Sequence, residues 1–127
     1  MGLWGAYYRK HMDKEALDEA VKFFEALNDQ ETIAALRIGY QKAGYREGMR
    51  RAAGVLVNRA QRSHVAGVRI ARLYAHAGDT GHALAWLQKA YEASETPLVH
   101  LGVAWDWDQL RPEPRFQDLL RHMNLPQ

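Results

Sequence analysis

The chain of 127 residues contains no cysteine. This absence excludes disulfide bonds, zinc sites with thiolate ligands and a cysteine nucleophile, and it fits a reducing compartment, so we expect a cytoplasmic protein. No apolar run reaches the roughly 18 residues that a membrane span needs. The first residues, MGLWGAYYRK, also lack the basic and then apolar pattern of a signal peptide. All four prolines lie beyond residue 96, so no proline interrupts a helix before that point.

The net charge is small, but charge is unevenly distributed along the chain. The net charge is only +2, yet residues 44–76 contain seven arginines against Glu47 alone. A basic centre of this kind either attracts an acidic partner or forms the solvated face of one helix. It also raises an alternative, a nucleic-acid-associated regulator that uses the Arg-rich 46–72 face. The arginines that suggest this alternative are Arg46, Arg50, Arg51, Arg59 and Arg62.

Apolar residues recur at spacings of three and four along most of the chain, and this periodicity predicts helices. Asp13 is expected to cap the second helix, and Gly44 and Gly78 are expected to end later ones. Val99 to Val103 is the best strand candidate, but it is short and contains His100 and Gly102. The pattern therefore predicts an all-α protein with helices over 2–11, 15–27, 32–43, 47–60, 65–77, 80–93 and 114–122.

The predicted helices form pairs, and the pairs repeat. The small residues Ala16, Gly48 and Ala83 each mark the second helix of a pair, and they lie 32 and 35 residues apart. This spacing is close to the period of about 34 residues that is typical of tetratricopeptide repeats. Two helices that cross closely need a small residue at the contact, and one pair cannot bury its own apolar face, so the pairs are expected to stack.

Two segments carry a family resemblance. Residues 70–90, with Ile70-Ala71, Tyr74, Gly78-Asp79, Ala83, Leu87 and Ala90, look like the tetratricopeptide consensus. The tail, from His82-Ala83-Leu84-Ala85-Trp86-Leu87 through Leu110-Arg111-Pro112-Glu113-Pro114-Arg115-Phe116 to Asn124-Leu125-Pro126, resembles the C-terminal end-segment of bacterial tetratricopeptide regulators. In such regulators the segment often follows a winged-helix, kinase or cyclase domain, so if the chain was cut from a longer one, we expect it to be the sensor or scaffold end of a regulator.

The resemblance implies a single domain over 1–127. It would be a right-handed stack of about three antiparallel helix pairs, over about 2–28, 31–60 and 64–93, followed by a capping segment over 105–125. The cap would cover the apolar face of the last pair. The residues expected in the core are Leu36, Tyr40, Ile70, Leu73, Tyr74, Ala83, Leu87, Ala90 and Phe116.

The resemblance also implies where a partner would bind. In tetratricopeptide stacks the first helix of each pair lines a concave groove. Charged side chains in that groove could hold a carboxylate or an acidic peptide. The carboxylate clamp of chaperone-binding relatives is absent, because Ala35 stands where that pattern has Asn. The sequence thus predicts a non-enzymatic interaction or scaffold module with a partly basic groove made of Val65, Arg69, Arg72, His76, Ile38, Gln41 and Lys42.

The N-terminal end is the second predicted contact surface. Leu3, Trp4, Tyr7 and Tyr8 are apolar or aromatic, and no capping segment precedes them. An uncapped end of a helical stack is an adhesive surface. We therefore expect either a longer chain or a homodimer formed through this end or an adjoining face.

No catalytic or metal-binding pattern stands out. His76, Asp79 and His82 bracket one turn, but their spacing matches no zinc signature, so no metal or cofactor is predicted. Asp106, Asp108 and Glu113 cluster as glycosidase carboxylates do, but we expect them to face water or pair with arginines. A small-ligand sensor with an aromatic pocket near Trp86, Trp105 and Trp107 stays open as a further alternative.

Overall fold

The computed structural model describes residues 2–93 and 105–122, and within these ranges the chain is helical with no strand. The all-α prediction is therefore confirmed for this part of the chain. Between Trp105 and Leu110 the helix is of the 3-10 type. The α-helices are α1 (Gly2–Arg9), α2 (Asp13–Ala26), α3 (Gln30–Ala43), α4 (Tyr45–Ala60), α5 (Gly67–His76), α6 (Thr80–Glu92) and α7 (Pro114–His122).

Turn residues set most of the helix boundaries. Gly44 and Gly78 adopt positive φ angles of 96° and 79°, and each lies in the turn that follows a helix, as the sequence predicted. Asp29 and Asp79 cap α3 and α6 by accepting hydrogen bonds from backbone N–H groups. The predicted cap Asp13 is instead the first residue of α2. Consecutive helices thus form the hairpins α1–α2, α3–α4 and α5–α6. The two helices of each hairpin contact each other more extensively than helices of different hairpins do.

The α3–α4 hairpin is held at a crossing of two glycines. A Cβ atom on Gly39 would lie 2.6 Å from the Cα of Gly48, and a Cβ on Gly48 would lie 2.7 Å from the carbonyl oxygen of Leu36. Neither position can accept a side chain without moving a backbone. The sequence identified Gly48 as the small contact residue of this pair, and the structure adds Gly39 as its partner.

The buried residues form two clusters. The first contains residues of all five helices from α1 to α5, among them Phe24, Leu36, Met49 and Ile70. The second joins α5 and α6 to the 3-10 helix and α7 through Trp107, Leu110, Phe116, Leu119 and Leu120. Of the predicted core, Tyr40 and Tyr74 are half-buried, and the others are buried: Leu36, Ile70, Leu73, Ala83, Leu87, Ala90 and Phe116.

Helix α1 contacts elements that lie far from it in the sequence. The Tyr8 hydroxyl donates a hydrogen bond to the Ala75 carbonyl oxygen on α5, at 3.2 Å. The 3-10 helix also contacts both α1 and α5. Elements from the two ends of the chain therefore meet over α5, while α3 packs on α4 and less extensively on α2. A tetratricopeptide-like stacking of the three hairpins stays a prediction.

Candidate interaction surfaces

The residues of the predicted groove lie in two different environments. Ile38, Gln41 and Lys42 are exposed on α3. Arg69 and Arg72 are partly buried on α5, where they face aromatic rings of other elements. Val65 is half-buried and packs against the first core cluster from the segment before α5. The α3 portion of the predicted groove is therefore exposed, whereas the α5 portion is partly or fully buried.

His76 is the clearest correction, because its side chain has no exposed surface. Its Nδ1 atom lies 2.5 Å from the Tyr45 hydroxyl, which accepts a hydrogen bond from the Trp4 indole N–H at 2.9 Å. Its ring also stacks on Tyr8, with 3.9 Å between ring centroids. The indole N–H can only donate, so the Tyr45 hydroxyl accepts from Trp4 and can in turn donate its own proton to Nδ1 of His76. His76 joins α1, α4 and α5 and does not face a partner.

Arg69 and Arg72 lie beside aromatic rings. The guanidinium carbon of Arg69 is 5.7 Å from the centre of the Phe23 ring on α2. That of Arg72 lies 5.8 Å from the Trp4 ring and 6.0 Å from the Trp107 ring. Each distance is within the range of a cation–π contact. These arginines therefore contribute to packing between α5 and its neighbours, and the N-terminal hairpin and 3-10 helix cover part of the predicted groove.

The N-terminal contact surface is also corrected, since Trp4 is only 2% exposed. Its indole packs on Phe23 and Phe24 of α2, with ring centroids 5.8 and 6.4 Å away. Tyr7 and Tyr8 are half-buried against the same core, and the side chain of Leu3 lies outside the described residues. The aromatic residues of α1 are turned inward because they find apolar partners within the chain.

Helix α3 keeps an uncovered outward face. Its buried side, with Ile33 and Leu36, packs into the first core cluster, and the opposite side faces solvent. Ile38 is 46% exposed, the largest value among the exposed large hydrophobic residues in the described ranges. We define the α3 face as the exposed residues Ala34, Arg37, Ile38, Gln41 and Lys42.

The outward side of α4 carries the arginines that suggested nucleic-acid binding. Arg46, Arg50 and Arg51 are exposed. Glu47 accepts hydrogen bonds from Arg50 at 2.9 Å and Arg51 at 2.7 Å. The hydrogen bond from Arg51 is the main cause that lowers the pKa of Glu47, and Arg50 adds to it. We call Arg46, Arg50 and Arg51 the basic strip. The carboxylate of Glu47 lies in the middle of this strip and offsets part of its charge.

An ion pair that sequence analysis missed joins the start of α3 to the end of α4. Both Asp29 oxygens accept hydrogen bonds from the Arg59 guanidinium, at 2.8 and 2.9 Å. This fork geometry and two further hydrogen bonds from Thr32 lower the pKa of Asp29 to about 2. A cleft of about 470 Å³ lies beside the pair and reaches Arg69. The only sequence signal was the turn Asn28-Asp29, which does not reveal a partner 30 residues away.

The residues His76, Asp79 and His82, which bracket one turn in the sequence, do not all come together in the structure. The His82 ring lies 2.7 Å from Asp79 and stacks on Tyr74, whereas His76 is buried with Tyr45. Among the residues that the structure describes, no group of three or more His, Asp or Glu side chains could hold a metal ion. The side chains of Trp105, Asp106 and Asp108 lie outside the described residues.

Comparison with known proteins gives no relative: no family model, no curated protein and no solved structure matches the chain. Within residues 2–93 and 105–122, none of the helices has both the length and the apolarity of a membrane span.

Proposed function

We propose that the chain is a non-enzymatic protein-interaction module, built as a tetratricopeptide-like helical scaffold, and that it binds its partner through the α3 face. The observation that carries this proposal is the 46% exposure of Ile38 on a helix whose opposite side is fully packed. A large apolar side chain centred in an uncovered helix face is typical of helix-mediated recognition. The contacts of three polar groups also support this proposal: Asp79 caps α6, Asp29 pairs with Arg59, and His76 lies within hydrogen-bond distance of Tyr45.

The charges of the α3 face indicate the chemistry of the partner. Arg37 and Lys42 flank Ile38, and Ala34 lies one turn before it on the same side. A basic rim around an apolar centre is complementary to an amphipathic segment that places acidic residues beside an apolar anchor. The proposed partner is therefore an acidic amphipathic helix or peptide.

The test uses a variant that reverses both features, Ile38→Asp combined with Lys42→Glu. Both residues are exposed, so we expect helicity and melting temperature to stay near those of the parent chain. Affinity capture from nuclease-treated bacterial lysate should recover a protein with the parent chain and lose it with the variant. The recovered protein must then bind the purified parent chain directly, measured by isothermal titration calorimetry.

The matched control is Lys10→Glu, which reverses an exposed charge outside the α3 face. It should retain the partner at full affinity. Equal capture by the parent and the Ile38→Asp/Lys42→Glu variant would contradict the proposal. Capture from untreated lysate that disappears in the nuclease-treated lysate would favour the nucleic-acid alternative and the arginines of α4.

A further inference from the structure

Helix α4 contains two interior glycines, and the structure explains only one of them. Gly48 touches α3, whereas Gly54 is exposed and has no heavy atom within 4 Å of the position its Cβ would take. Glycine is unfavourable inside an exposed helix, so packing within the chain gives no reason for it here. A glycine on an outward helix face does allow another backbone to approach closely.

Basic side chains surround this open position. Arg50 and Arg51 lie one turn before Gly54, and their side chains are 57% and 41% exposed. Each donates one hydrogen bond to Glu47. A guanidinium has five N–H donors, so either arginine can also bind a further carboxylate while it keeps its bond to Glu47. The surface around Gly54 therefore fits an acidic partner whose backbone comes close to α4.

The same chain presents an acidic helix of this kind. The outward side of α2 exposes Glu15, Asp18 and Glu25, and only two basic residues, Lys14 and Lys22, occur within the helix. Lys22 is tied to Glu19 by a salt bridge of 3.0 Å. The outward sides of α2 and α4 thus carry opposite charge.

We propose that the chain self-associates by docking the outward side of α4 on the outward side of α2 of a second copy. Because α2 and α4 contact each other within one chain, a single two-fold axis can form both α4–α2 contacts of a closed dimer. A phosphate backbone offers only negative charge, which Glu47 repels, whereas α2 of a second copy presents the exposed Lys14 beside its carboxylates and so complements the mixed charges of α4 better.

Charge exchange tests the proposal with the protein alone. The α4 variant Glu47→Arg/Arg50→Glu/Arg51→Glu keeps oppositely charged neighbours on the helix and changes the summed charge of these three residues from +1 to −1. The α2 variant Asp18→Lys/Glu25→Lys changes two exposed residues seven positions apart, which lie on one side of the helix. Sedimentation equilibrium should show a dimer for the parent chain, with a dissociation constant that rises at least about tenfold between about 50 and about 500 mM salt. Each variant alone should be monomeric at concentrations where the parent chain is dimeric.

Mixing the two variants should restore a one-to-one heterodimer, since both contacts again pair opposite charges. A parent chain that stays monomeric at low salt, or a mixture that fails to associate, would overturn the proposal. So would a monomeric parent chain that binds duplex DNA through Arg50 and Arg51.

Two controls test whether a loss of self-association comes from the α4–α2 contact. One distinguishes it from a loss of folding, and the other from an effect of the α3 face. Gly54→Gln should raise the melting temperature of the monomer, because glutamine favours a helix, yet weaken self-association at least about tenfold by blocking close approach. Arg37→Glu reverses an exposed charge on α3 and should leave the dimer intact. The dimer contact uses neither Ile38 nor Lys42, so failure of either proposal leaves the other standing.

Discussion

Helices α3 and α5 occupy equivalent places in their hairpins, yet they have different surroundings. Each is the first helix of a pair and packs closely on the second. The outward side of α3 faces solvent, with Ile38 46% exposed. The corresponding side of α5 meets Trp4 and Tyr8 of α1 and Trp107 of the 3-10 helix. Position within a hairpin therefore does not decide which helix is available to a partner, because elements far away in sequence cover one and leave the other open.

The largest effect is expected when the cover of α5 is removed. Trp4→Ala should lower the free energy of unfolding by about 4 kcal/mol, since it leaves a large cavity among Phe23, Phe24 and His76. It also removes the donor to Tyr45. Urea unfolding followed by circular dichroism measures the loss. Trp4→Phe, which keeps most of the ring but not the N–H, should cost less, and equal costs would contradict the cavity explanation.

A matched pair of isoleucines compares the two helices directly. Ile70 on α5 is fully buried and Ile38 on α3 is 46% exposed. Ile70→Ala should therefore cost about 3 kcal/mol, whereas Ile38→Ala should change the free energy of unfolding by less than about 0.5 kcal/mol. Chemical denaturation of both variants under identical conditions gives the difference. Similar losses at the two positions would mean that the α3 face is covered in solution.

The glycine crossing tests how α3 is held in place. Gly39→Ala should cost about 2 kcal/mol, because its Cβ would lie 2.6 Å from the Gly48 backbone and would force α3 away from α4. Gly54→Ala on the same hairpin meets no atom within one chain and should stabilise the monomer by about 1 kcal/mol. Thermal unfolding of the two variants should shift in opposite directions. A stabilising Gly39→Ala would show that α3 and α4 do not cross closely at this point.

The smallest effect concerns the ion pair that ties the start of α3 to α4. The Arg59 hydrogen bonds lower the pKa of Asp29 from its ordinary value of 3.8 to about 2. The stabilisation is therefore present above pH 4 and is lost as the pH falls through 2, and we expect about 1 kcal/mol from this partly exposed pair. Asp29→Asn should remove this part of the pH dependence in acid titrations of stability. If the dependence of stability on pH is the same in Asp29→Asn, other carboxylates cause the loss of stability in acid.

Much of the local structure follows from the sequence by itself. Apolar spacing placed the helices, and Gly44 and Gly78 ended them because a positive φ angle favours glycine. Close helix contact identified Gly48, and periodicity identified core residues such as Ile70 and Leu87. Each of these inferences depends on residues within about one helical hairpin, where chain geometry fixes which side chains meet.

Only the tertiary structure decided which of these surfaces stay open. The aromatic residues of α1 resembled an exposed end, and Arg69, Arg72 and His76 resembled a groove, because nothing in their spacing reveals a distant partner. Folding brings Trp4 into contact with His76 and with Tyr45, which lies 41 positions later in the sequence. It also brings Asp29 to Arg59, 30 positions later. Such contacts arise from how hairpins pack on one another. The sequence by itself therefore determined the helices and their pairing, and the packing between pairs determined that, within the described residues, the α3 face and the outward sides of α2 and α4 stay exposed.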